Sequence, residues 1–183
     1  GRYRLAALTV VLAVSLTAIA GTAAGLDARL GFLEPLFEGE WVGGYVGEEV
    51  PDVEIRLTFV PVLDGAKVSY HRRAEDLDFQ AITHFFSGGQ AGEVRFMSMN
   101  NRGTFEDGTV STGDGRIVLD GTTHFPGGTR RFRTTLVLGQ DGVLTDTFER
   151  MVGDEWVVGH VQEYTRPAGP AGAGLQGKEE GDR

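Results

Sequence analysis

Asp-Gly pairs punctuate the middle of the chain, at Asp64-Gly65, Asp107-Gly108, Asp114-Gly115 and Asp141-Gly142. Such pairs supply the positive φ that a tight hairpin turn demands. Gly88-Gly89, Pro126-Gly127-Gly128 and Gly153-Asp154 do similar work. The stretches between these turns are short and alternate in polarity. Val53, Ile55, Leu57 and Phe59 fall on one face, with Glu54, Arg56 and Thr58 opposite. Phe132, Thr134, Leu136 and Leu138 likewise oppose Arg131, Arg133 and Thr135. Period-two alternation gives a segment one wet face and one dry face, which is the signature of a strand.

About ten strands are predicted on this basis. They are Glu40–Val46, Val53–Leu63, Ala66–Ala74, Asp78–Ser87, Glu93–Asn100, Gly103–Thr112, Arg116–His124, Thr129–Leu138, Val143–Val152 and Glu155–Arg166. The connections are too short for crossover helices, so neighbours pair antiparallel. A meander of this length removes its exposed edges by closing. The expected fold is therefore all-β: a single antiparallel up-and-down β-barrel over residues 32–166. A barrel this wide leaves interior volume, so a cavity is expected. The apolar piece Leu30–Phe37 reads as a short helix before the first strand, placed to plug one end. A two-sheet sandwich is the alternative fold, and it needs longer cross-sheet connections than this sequence offers.

The two ends of the chain read differently. Arg2 and Arg4 precede the uncharged run LAALTVVLAVSLTAIA, and the small residues GTAAG follow. Residues 1–24 thus resemble a signal peptide, with Ala18-Ile19-Ala20 or Thr22-Ala23-Ala24 as the cleavage motif. The competing reading is an uncleaved anchor, because residues 5–26 are long enough to span a bilayer. Either way the barrel is expected outside the cytoplasm, secreted or periplasmic. Residues 25–31 read as a short linker. Residues 167–183, rich in Gly, Ala and Pro, read as a disordered tail.

Charge and composition narrow the function. The formal net charge is −9. An acidic surface argues against nucleic acid, and against membrane contact other than through the N-terminal segment. With no cysteine in the chain, disulfides, zinc–thiolate centres and a cysteine nucleophile are excluded. There is no Gly-x-Ser-x-Gly elbow, no His-Glu-x-x-His helix and no glycine-rich phosphate loop. Nothing in the sequence sets the oligomeric state.

Particular residues connect this reading to known families. Gly39-Glu40-Trp41 resembles the Gly-x-Trp at the first strand of the calycin superfamily, the lipocalins and fatty-acid-binding proteins. Arg166 stands where those families place a late arginine that packs over the tryptophan and closes the barrel. Leu33-Glu34-Pro35-Leu36, Phe59 to Gly65 and Trp156 to Arg166 resemble a bacterial lipocalin-like family of unknown function. The resemblance implies structural barrel closure by Trp41 and Arg166. A more distant resemblance, to nitrobindin, implies haem binding through His160.

Alternation groups Trp156, Val158, His160, Gln162 and Tyr164 on one face of the last strand. With Phe85 and Phe96 they form the expected ligand-binding set: His160, Trp156, Tyr164, Gln162, Phe85 and Phe96. A neutral imidazole at His160 suits a ligand carboxylate or haem iron. The competing reading is a structural or wet-face histidine. Met97, Met99 and Phe86 are further candidates for an apolar lining. Fatty-acid-binding barrels clamp a carboxylate with an interior arginine, which makes Arg72 or Arg133 a candidate. Asp146, Glu149 and Glu163 are candidates to face His160 as an acid/base pair. His71, His84 and His124 show no paired metal spacing, so no metal and no catalytic residue is assigned.

The expected function is an exported lipocalin-like barrel that binds a small hydrophobic or amphipathic ligand, with no cofactor required. The alternatives are a haem-binding barrel and an uncharacterised enzyme on a calycin-like barrel.

Overall fold

The computed structural model describes residues 25–47, 52–88 and 92–167. The expected signal segment, residues 1–24, lies outside them, as do residues 5–24 of the alternative anchor and the expected tail beyond residue 167. Ten strands form a closed barrel in which each pairs antiparallel with its neighbours in the chain, and the first pairs with the last. They are β1 (Trp41–Tyr45), β2 (Ile55–Val62), β3 (Lys67–Ala74), β4 (Phe79–Ser87), β5 (Val94–Asn100), β6 (Phe105–Gly113), β7 (Arg116–Phe125), β8 (Gly128–Leu138), β9 (Leu144–Val152) and β10 (Glu155–Thr165). The expected barrel, with its short preceding helix, is the fold observed. Most expected strand ends agree to within two residues, because a glycine turn marks most of them.

Two elements depart from expectation. Asp107-Gly108 is not a turn. It lies inside β6, where Gly108 pairs with Phe96 on one side and Gly121 on the other. A Cβ at Gly108 would strike the Asp120 carbonyl and the Phe96 ring. The glycine is thus there for a close strand approach around Phe96, a use that leaves the same sequence mark as a turn. The second departure concerns residues 25–31, which are not a linker. Asp27 caps a 3₁₀ helix, Ala28–Leu36, that buries Leu30, Leu33 and Leu36 completely or nearly so. The expected helix is therefore present, but it is 3₁₀ and starts two residues earlier than Leu30. Pro35 lies within it, and both Leu30→Asp27 and Phe37→Glu34 are i→i+3 backbone bonds. Asp27 also ties the helix to the barrel wall. It accepts a hydrogen bond from the Ser87 hydroxyl at 2.7 Å, and its amide donates to the Gly65 carbonyl.

This helix plugs one end of the barrel. Trp41 is almost fully buried beneath it and donates its indole N–H to the Leu36 carbonyl at 3.1 Å. The Arg166 guanidinium stacks over the Trp41 ring at 4.4 Å and donates to the Pro35 carbonyl at 2.5 Å. The indole face takes the cation and the edge takes the hydrogen bond, so one pair of residues joins β1, β10 and the plug.

Candidate functional site

Above the plug the barrel encloses a cavity of about 300 Å³, at the lower edge of the range for small-molecule pockets. One part of its wall is apolar: Ile55, Phe85, Phe96, Leu119, Phe132 and Leu136. Phe96 and Phe132 meet edge to face at 5.9 Å. The open end is bordered by Leu77, Phe79 and Arg102; Arg102 lies over the Phe79 ring at 5.4 Å and donates to the Leu77 carbonyl.

The other part is polar and is assembled from strands far apart in sequence. Alternation along β3 turns Val68, Tyr70, Arg72 and Ala74 inward, opposite Leu57 and Phe59 of β2. Arg72 is thereby carried into the interior, where it donates to the Gln162 side-chain oxygen. Tyr164 donates to the same oxygen at 2.7 Å. Two donors fix the amide orientation, so the Gln162 nitrogen must point elsewhere. Asp146 of β9 pairs across the sheet with Gln162 and is buried. His160 sits one inward position further along, stacked on Phe148 at 4.9 Å and meeting Tyr45 edge-on at 5.4 Å.

Five buried side-chain atoms find no hydrogen-bond partner among the described residues: Tyr70 Oη, Arg72 Nε, Asp146 Oδ1, His160 Nε2 and Gln162 Nε2. Four of them belong to side chains that line the cavity.

The electrostatics follow from burial. Loss of water pushes the Asp146 carboxyl up, against the pull of Arg72. Glu106, also on the cavity wall, is pushed up by burial, while the Thr123 hydroxyl bond and Arg72 oppose the shift. His160 is lowered to about 4 by burial, with Arg72 adding to the effect. The imidazole is therefore neutral at neutral pH, and Arg72 stays charged.

The His160 shift gives a stability prediction with a definite sign. Between about pH 6.5 and 4 the unfolded chain binds a proton that the folded chain refuses, so stability falls as pH falls through this window. His160→Phe keeps the ring stack and removes the proton. The wild type should lose up to about 2 kcal/mol relative to this variant over that window, after allowing for partial solvent screening. Urea titrations at several pH values measure it, and parallel curves for the two proteins would refute it.

Of the expected ligand-binding set, Phe85, Phe96 and His160 line the cavity, while Gln162 and Tyr164 stand in the hydrogen-bonded layer behind it. Trp156 does not join them. The β9–β10 register slips between Val158 and His160, leaving Gly159 as an extra residue. Alternation is thus reversed before the bulge, and Trp156 lies outside, under Arg133 at 4.4 Å and Arg131 at 5.5 Å. A Cβ at Gly159 would strike Phe148, so the bulge needs glycine.

Arg133 is also bound to Asp120 on the exterior, which leaves Arg72 as the interior arginine of the two candidates. Met97, Met99 and Phe86 alternate outward, and Met99 is half exposed. Glu149 and Glu163 face outward as well. Asp146 faces inward but forms no hydrogen bond with His160. His84 bonds Ser69 and His124 bonds Asp107. Sequence reasoning did not select Tyr70, although its place on the same face as Val68 and Arg72 was a usable signal.

No protein-family model matches the chain, and no curated protein matches it. Among solved structures it is similar to the crystal structure of Rv2717c from M. tuberculosis. Sequence identity is 15%, the TM-score is 0.50, and the match covers 78% of this chain and 99% of that one. At that identity the likeness concerns the fold alone, a closed antiparallel barrel.

Proposed function

We propose that the barrel binds one small amphipathic molecule in its interior, as a lipocalin-like binding module. The apolar body lies against Phe96, Phe132 and Leu119, and the polar end reaches Arg72, Asp146 and His160. The observation that carries this reading is the set of five unpartnered buried polar atoms. Buried polar atoms are ordinarily hydrogen-bonded, and four of these belong to side chains on the cavity wall, where a ligand head group would supply their partners. An acid/base enzyme on the same barrel is the weaker alternative, because Asp146 and His160 share no hydrogen bond.

Haem is a second reading, supported by the neutral, unpartnered Nε2 of His160. The nitrogen is the right kind of donor. It is enclosed by the Phe148 and Tyr45 contacts, so ligation requires the imidazole to leave its stack.

The N-terminal segment adds an address to the proposal: export, with removal of residues 1–20 or 1–24.

Native mass spectrometry of the protein purified from an extracytoplasmic fraction tests all three parts. The expected result is a mature chain carrying one small-molecule adduct. The adduct should disappear in Ala81→Trp, which fills the cavity at a position that lines it. An identical adduct pattern in the two proteins overturns interior binding. A Soret band in the same preparation selects haem. A mass that retains the N-terminal segment overturns cleavage.

A further inference from the structure

We propose that the polar end of the bound molecule is an uncharged group with adjacent C=O and N–H functions, such as a primary carboxamide or the cis-amide edge of a ring, and not a carboxylate. This rests on the interior-binding reading above and narrows it.

Arg72 is the guanidinium deep in the cavity, and two acids, Asp146 and Glu106, already line the same space. Neither forms a salt bridge with it among the described residues. A carboxylate ligand would be a third acid around a single buried cation, and an unmatched buried charge is strongly disfavoured.

The unpartnered atoms point the same way. On the cavity wall Arg72 Nε and the Tyr70 hydroxyl are donors without a partner among the described residues; Asp146 Oδ1 is an acceptor without one when ionised. A carboxylate satisfies the donors and repels the acceptor. A carboxamide accepts from Arg72 through its carbonyl and donates to Asp146 through its N–H. It satisfies both sides without adding charge.

Asp146 is the discriminating residue. The other charged or titratable side chains on the cavity are Arg72, Glu106, Arg102, His160, Tyr45 and Tyr70. The amide binds the ionised form of Asp146 better, and the carboxylate binds the protonated form better. Their affinities therefore respond to pH with opposite signs as Asp146 titrates.

The test is calorimetric titration of the full chain with a matched pair, 4-propylbenzamide and 4-propylbenzoate. At neutral pH the amide should bind at least about tenfold more tightly. Because burial raises the Asp146 carboxyl, lowering the pH from neutral should strengthen the benzoate and not the amide. Asp146→Asn keeps shape and an acceptor oxygen while removing the charge. It should strengthen the benzoate about tenfold and weaken the amide, whose N–H loses its charged acceptor. Equal or tighter benzoate binding by the wild type overturns the proposal, as does an unchanged amide-to-benzoate ratio in Asp146→Asn. The pH comparison uses the wild type alone, so it stands even if the variant folds poorly. If neither probe binds but the Ala81→Trp-sensitive adduct is seen, the head-group proposal falls and interior binding stands. If neither probe binds and no adduct is seen, both fall.

Discussion

Trp41→Ala should lower the stability of the barrel by about 4 kcal/mol, among the largest losses for any single side chain in this chain. The indole is buried at the point where the plug, β1 and β10 meet, and it carries three interactions at once. It fills the space under Leu30, Leu33 and Leu36, donates to the Leu36 carbonyl, and supports the Arg166 guanidinium. Truncation leaves a cavity, an orphaned carbonyl and an unstacked cation. Arg166→Ala should cost less, about 1–2 kcal/mol, because the losses are the stacked cation, its bond to Pro35 and an exposed ion pair with Glu38 that contributes little. Urea denaturation of the two variants measures both effects. A Trp41→Ala loss below about 1 kcal/mol would mean that the plug is held by the leucines alone.

Arg72→Ala should destabilise the folded protein by about 3 kcal/mol and abolish interior binding. The guanidinium is the positive charge that offsets Asp146 in the interior, and it supports the Gln162 oxygen on which Tyr164 also depends. Without it the Asp146 carboxyl shifts further up, because the charge that opposes the effect of burial is gone. The double variant Arg72→Met with Asp146→Leu removes the charge and its counterpart together. It should recover most of the lost stability and none of the binding, since replacing a buried polar pair by apolar side chains is often neutral or better. A stability loss in the double variant equal to the sum of the two single losses would show that Arg72 and Asp146 are uncoupled.

Much of the fold was legible because the physical signals were local. Positive-φ turns need glycine at Gly65, Gly115, Gly142 and Gly153, and the alternation of β2 and β8 is unbroken, so strand ends and faces followed directly. Two glycines misled, for one physical reason. Gly108 and Gly159 serve close packing against Phe96 and Phe148 inside strands, and sequence alone does not separate that use from a turn or from an innocent strand position. The error at Gly159 had the larger consequence. One extra residue reverses the alternation, so Trp156 was expected inside and stands outside. Beyond the bulge the expected faces hold, and His160, Gln162 and Tyr164 point inward.

The candidate site was legible only in pieces. Arg72 and Asp146 were each singled out, but for separate roles. Strand β3 carries charge on both faces, so its amphipathic pattern is weak, and Tyr70 attracted no notice. What joins Arg72 to Asp146 and Gln162 is barrel closure, which brings β3 opposite β9 and β10 across the interior. No spacing along the chain encodes that distance.

Interior binding requires Arg72 to face the bound molecule. Its Nε–H proton reports this directly in an NMR spectrum of ¹⁵N-labelled protein. Addition of an amphipathic probe that binds one to one should shift the Arg72 Nε–H resonance and slow its exchange with solvent, while the Arg131 and Arg133 resonances on the exterior stay in place. An unmoved Arg72 resonance at saturating probe, with shifts at Arg131, Arg133 and the Trp156 indole instead, would put the ligand on the outer wall and contradict the interior site.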